Sequence, residues 1–167
     1  MSETEKKLFS EKDMNTILLI FYILLFANIM YIVMLLLLEM TAGDFSGSSS
    51  NLTDMLFYLF ILLALLDIGL AYRVFLPRAL ASENPNEAFS LFLIPSILCE
   101  TSGIYGLVIG LMQLFSDLIH VNWVEVMGFF LLSFASMYWM IENQIKPHFR
   151  KFIGLEFDYP VIRNQIM

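Results

Sequence analysis

Four long apolar runs constrain this chain more than anything else in it. They lie at about residues 15–38, 54–76, 88–115 and 121–145, and each is as long as a membrane crossing. A bilayer core takes about 20 helical residues to cross. Strands of a membrane barrel would alternate apolar and polar side chains over about ten positions. These runs are continuously apolar, and a helix satisfies its own backbone polar groups within lipid. Composition agrees: 59% of residues are hydrophobic and 15% charged, against roughly a quarter charged in soluble domains. The expected fold is an all-α membrane protein, with four transmembrane helices in an antiparallel bundle. A polar segment at 1–14 precedes the membrane domain at 15–145, and a polar, aromatic tail fills 146–167. The first apolar run begins late and is span-length, so a cleaved signal peptide is not expected.

The links are short. Residues 39–53 are rich in Gly and Ser, 77–87 hold two prolines, and 116–120 form a tight connection. All nine basic residues fall on one side of such a bundle: Lys6, Lys7, Lys12, then Arg73 and Arg78, then Lys146, Arg150, Lys151 and Arg163. The positive-inside rule therefore predicts an integral, multi-pass protein with both termini and the second link cytoplasmic. Asn51-Leu52-Thr53 matches a glycosylation sequon on the outer side, but the pattern is short and an ordinary loop is the plainer reading.

Several functions are disfavoured. The net charge of -7 gives no reason to expect nucleic acid. The single cysteine, Cys99, cannot form an intrachain disulfide. There is no Gly-rich phosphate loop, no metal-ligand cluster and no nucleophile–base set, so self-contained catalysis is not expected. No cofactor is implied beyond a transported ion, H+ or Na+.

Chemistry concentrates in buried carboxylates. Glu100 lies twelve residues into the third run, roughly 18 Å deep at about 1.5 Å per residue. An ionised carboxylate there costs at least a few kcal/mol, so it should face protein or water and be protonated or paired. Asp67 lies nine residues from the cytoplasmic end of the second run, roughly 14 Å deep. The two runs should be antiparallel neighbours, and a shared proton or a bound cation would satisfy both acids. Thr101, Ser102 and Tyr105 follow Glu100, and Asn28 sits mid-way along the first run as a potential amide donor. Each of these could equally fix helices together by hydrogen bonding. Gly103, Gly106 and Gly110 mark a face that another helix approaches closely. Pro95, one turn before Glu100, predicts a kink or local loosening.

The run Glu100-Thr101-Ser102-Gly103-Ile104-Tyr105-Gly106-Leu107-Val108-Ile109 resembles the carboxylate-bearing helix of proteolipid subunits in rotary ATPases of the archaeal and vacuolar type. Asn84-Pro85-Asn86-Glu87-Ala88 is similar to the polar loop of that family. The resemblance covers about residues 60–115 and makes the second and third spans a proteolipid-like hairpin. It implies that Glu100 carries the ion, with Thr101 and Tyr105 as polar neighbours. The function expected from it is proton or cation translocation in a membrane complex, by reversible protonation of Glu100. The alternative is a structural or assembly subunit that moves no ion. Partners are lipid, other membrane subunits or copies of the same chain.

The remaining features have plain readings. Trp123, Trp139 and Tyr138 suit the membrane interface. Glu39 and Glu142 sit at span ends, where they reach water, and His120 lies in the outer link. Phe149, Phe152, Ile153 and Phe157 could line a short interfacial helix, for lipid anchoring or for docking. The eleven methionines read as flexible packing filler.

Overall fold

A computed structural model describes residues 6–41, 50–115 and 121–158. Four of its helices are long and apolar enough to cross a membrane. The first, α1, is Glu11–Thr41; α2 is Ser50–Leu70, extended through a π turn at Ala71–Phe75 into α3, Leu76–Leu80. The third crossing, α4, is Pro85–Phe115. The fourth is α5, Trp123–Met140, extended through a second π turn at Ile141–Ile145 into α6, Lys146–Arg150. The chain is an integral membrane protein with an all-α membrane domain, as expected.

Its helices outrun the apolar runs that nucleate them. At about 1.5 Å per residue the 31 residues of α1 or α4 reach well beyond a hydrocarbon core of about 30 Å. The proline-containing link at 77–87 shrinks to residues 81–84, because helix continues through Pro77 to Leu80. Both π turns have the same cause. Each ends two residues before a proline, Pro77 or Pro147. A proline inside a helix removes one backbone donor and crowds the carbonyl four residues earlier. Widening the preceding turn relieves that crowding. Helix α4 runs unbroken through Pro95.

The helix starts are written locally. Ser10 and Asp13 cap α1 reciprocally: the Asp13 amide donates to Ser10 Oγ at 3.3 Å, and the Ser10 amide to Asp13 Oδ2 at 3.0 Å. Asn84 caps α4, its Oδ1 accepting from the Asn86 amide at 2.9 Å, with Pro85 at the first helical position.

Helix α4 is the central column, packing against α1, α2 and α5, while α2 and α5 barely meet. Its buried positions 85, 88, 92, 95, 99, 102, 106, 109 and 113 recur every three or four residues, with a second stripe at 96, 100, 103 and 110. Many of these residues are small, so three neighbours can approach. Helix α2 is the opposite case. Met55, Tyr58, Leu62, Leu65, Leu66 and Leu70 all point outward, which suits contact with lipid.

The interior divides into two apolar clusters. One, at the end where α1 begins and α6 ends, gathers Phe21, Leu25, Phe92, Cys99, Met137 and Phe149. The other gathers Leu35, Ile109, Val126, Phe129 and Phe130. Between them lies a layer of buried polar residues: Asn28, Glu100, Ser102 and Ser133.

The tail departs from expectation. Residues 156–158 are a strand, not part of an interfacial helix. This β2, Glu156–Asp158, pairs antiparallel with β1, Lys6–Leu8, joining the segment before α1 to the segment after α6. Gly154 makes the preceding turn at φ +84°, where a Cβ is disfavoured. Phe149 and Phe152 turn inward against Phe9, while Ile153 stays exposed. The expectations for His120 and for most of the first outer link, residues 42–49, lie outside the described residues. The backbone of Asn51 begins α2.

Candidate functional site

The buried polar layer is a junction of three helices. Glu100 on α4 is only 6% exposed. Its Oε2 accepts from Asn28 Nδ2 of α1 at 2.8 Å and from Ser133 Oγ of α5 at 3.4 Å. Asn28 Nδ2 also donates to Ser133 Oγ at 3.0 Å, closing a triangle. The Tyr31 hydroxyl, one turn along α1 from Asn28, donates a long hydrogen bond towards the Glu100 carboxylate. Among the described residues the other carboxylate oxygen, Oε1, has no close hydrogen-bond partner, and neither has Asn28 Oδ1, which is likewise buried.

The glycines build this junction. A Cβ on Gly103 would collide with Asn28 Oδ1 and lie 3.5 Å from Ser133 Oγ. The missing side chain is therefore what lets Asn28 reach Glu100. Gly106 lies against Phe129 and Val126 of α5, and Gly110 against Leu35 of α1. The close neighbours predicted by the glycine spacing are helices of the same chain.

Asp67 forms a separate group on another side of α4. It is half-buried, and its Oδ2 accepts from Thr101 Oγ1 at 2.9 Å and Tyr105 Oη at 2.8 Å. Thr101 Oγ1 is also 2.7 Å from the Leu98 carbonyl, so its single hydrogen is shared between two acceptors. Ser102 donates to the Phe129 carbonyl at 3.2 Å and ties α4 to α5. Each carboxylate thus has its own donors, and among the described residues no hydrogen bond joins Glu100 to Asp67. The reason is azimuth. One residue along a helix turns by about 100°, so Thr101 and Tyr105 face α2 while Glu100 and Gly103 face α1 and α5.

Replacing Asp67 by Asn should therefore weaken the α2–α4 contact alone. It leaves Thr101 and Tyr105 a weaker acceptor in place of the carboxylate, for an expected loss of about 1 kcal/mol, readable as a lower unfolding midpoint in mixed micelles.

Ser133 is a site residue that sequence reasoning missed. Its only signal is a hydroxyl in the apolar run Phe129–Met137, which also contains Ser136.

The end of the bundle where α1 finishes and α5 begins has its own ties. Glu39 accepts from the Trp123 indole at 2.9 Å and from the Val121 amide at 3.0 Å. Gln113 donates to Glu125 at 2.7 Å. At the other end Glu142 accepts from Lys146 at 2.8 Å and from the Tyr22 hydroxyl. Glu39 and Glu142 thus hold the structure together where solvation alone was expected.

Set beside known protein families, residues 79–113 fit the model of the ATP synthase C-subunit family. The matched stretch takes in the turn at 81–84 and nearly all of α4, including Glu100, Thr101, Ser102, Tyr105 and the three glycines. No curated protein and no solved structure matches the chain. The helix carrying Glu100, with the turn that precedes it, is similar to the proteolipid of ATP synthase.

Proposed function

We propose that this protein is a proton- or cation-handling subunit of a membrane complex, working by reversible charging of Glu100. One observation carries the reading. Glu100 Oε2 is held by close donors from two other helices, whereas among the described residues Oε1 and Asn28 Oδ1 are buried acceptors without close partners. Leaving a buried acceptor unpaired costs about 1–3 kcal/mol. A proton on Oε1, or a small cation such as Na+, would offset that cost, and its departure would restore it. The carboxylate is thus balanced between two states. The similarity of residues 79–113 to the ATP synthase proteolipid supports the reading, since it includes Glu100. On this proposal the termini and the turn at 81–84 face the cytoplasm, where the basic residues cluster. Lipid covers the outward faces, and copies of the chain or other membrane subunits complete the complex.

A second reading has its own support. Glu100 is enclosed by three helices of its own chain, and buried polar groups so placed can fix helix register without moving an ion. The protein would then be an assembly subunit. Ion flux through reconstituted vesicles, compared with a Glu100→Gln variant, separates the two. The same vesicles carrying Asp67→Asn should retain flux, because Asp67 makes no bond to Glu100.

A further inference from the structure

Glu100 is enclosed by its own chain, so the groups around it decide how a proton can reach it. Along the bundle axis the polar layer is closed by apolar side chains, Leu25 and Phe92 on one side and Leu35 and Ile109 on the other, all buried. Asp67, the other acid at this depth, is bonded to Thr101 and Tyr105 on a different side of α4. Among the described residues, four polar side chains surround Glu100. Asn28 of α1 is 1% exposed, and Ser133 of α5 is fully buried. The Cys99 thiol, beside Glu100 on α4, is also fully buried and is bonded to Ser136. The fourth is Tyr31, whose hydroxyl donates towards the Glu100 carboxylate. Tyr31 alone of the four is only half-buried. Its ring lies 6.5 Å from that of Phe130, centroid to centroid, at the seam between α1 and α5.

We propose that Tyr31 is the proton relay between Glu100 and the outside of the bundle, acting at the α1–α5 seam. This rests on the reading that Glu100 charges reversibly. Chemistry and exposure together select Tyr31 from its neighbours. The Asn28 carboxamide donates and accepts at different atoms, whereas a hydroxyl does both at one oxygen and can pass a proton on as it takes another up. Ser133 has a hydroxyl too, but it is sealed from the outside. The transfer balances in one concerted step. The Tyr31 O–H bond breaks as its hydrogen passes to a Glu100 oxygen, and Tyr31 Oη takes up a proton from water at the seam. Discharge of Glu100 reverses both transfers. No tyrosinate forms, so no charge is stranded on a half-buried phenol. Such a route conducts H+ and not Na+.

Infrared spectra of the full-length protein in nanodiscs test the proposal, by following the carboxyl C=O band of Glu100 after a jump from high to low pH. Glu100→Gln identifies the band by removing it. Tyr31→Phe keeps the ring against Phe130 and removes only the hydroxyl. Its band should reach the parent's full height at low pH but rise at least about tenfold more slowly, within what a positioned proton donor supplies. Its unfolding midpoint should stay close to the parent's. Tyr72→Phe is the control: it removes another half-buried tyrosine hydroxyl, one bonded to the Ser136 carbonyl, and should exchange at the parent's rate. A parental rate in Tyr31→Phe would overturn the relay and leave the charging of Glu100 standing. Equal slowing in the two variants would also overturn it, since loss of any such hydroxyl would then suffice. A band in the parent that ignores pH would overturn the relay and the transport reading together.

Discussion

Glu100→Gln is expected to reduce ion flux in reconstituted vesicles to the background of empty lipid, while the protein stays folded and inserted. Glutamine keeps the shape of glutamate, and its carbonyl can accept from Asn28 Nδ2 and Ser133 Oγ as Glu100 Oε2 does. Its amide adds donors to a region holding two buried acceptors without partners. Unfolding free energy should therefore change by no more than about 1 kcal/mol. What is lost is the ability to gain and release charge. Flux that survived the substitution would rule out the transport reading. Flux absent from the parent as well, with a complex that falls apart in the variant, would establish the assembly reading instead.

The second large effect is steric. Gly106→Ala should destabilise the bundle by about 1–3 kcal/mol, the usual cost of forcing extra atoms into a packed interior. The added Cβ would lie 2.9 Å from Phe129 Cβ and 3.2 Å from the Val126 carbonyl. Neither atom can rotate away, so α4 and α5 would have to separate. Gly110→Ala meets Leu35 Cδ1 at 2.6 Å, but the end of a leucine side chain can swing aside, so the cost should be smaller. Gly103→Ala drives into Asn28 Oδ1 and should disturb the Asn28–Glu100 bond more than global stability. Gly69 and Gly128 provide the control. Nothing lies within 4 Å of a Cβ at either position, so alanine there should be neutral or gain up to about 1 kcal/mol of helix propensity. Unfolding midpoints of the five variants in mixed micelles would give this ranking. Equal effects at Gly106 and Gly128 would contradict the packing described.

Much of the fold was legible because span length is a property of one segment at a time. Each apolar run nucleated a helix, and each helix then ran on through flanking polar residues. Pro77 misled for a physical reason: a proline usually ends a helix, but a π turn upstream made room for it. The tail misled because its aromatic spacing suits a helix, whereas pairing with residues 6–8 turned part of it into a strand. At the site, depth could be read from residue counts and azimuth could not. Glu100 and Asp67 were placed at similar depths, yet Asp67 of α2 meets a different side of α4 from the one that carries Glu100. Thr101 and Tyr105 went with Asp67 for the same reason. Ser133 was invisible because a serine in an apolar run has no local signature of a partner on another helix. Asn28 was found because a carboxamide in mid-span is costly enough to stand out.

The glycine pattern says something more. Gly103, Gly106 and Gly110 face helices of their own chain, and the outward surface of α2 is bulky. Assembly through α2 would join large side chains, not a seam of small ones. The layer around Glu100 is thus enclosed within the bundle of a single chain, and any exchange of protons must pass through the polar residues that line it or through an opening of the bundle.

Labelling of Glu100 by an apolar carbodiimide, followed by mass spectrometry across a range of pH, tests the central claim most directly. The reagent attacks a carboxyl group only when it carries its proton. A carboxylate that charges reversibly should be modified at low pH and progressively less as pH rises, with Asn28→Leu altering the profile. A yield that ignores pH, or no modification of Glu100 at any pH while Asp67 reacts, would contradict it.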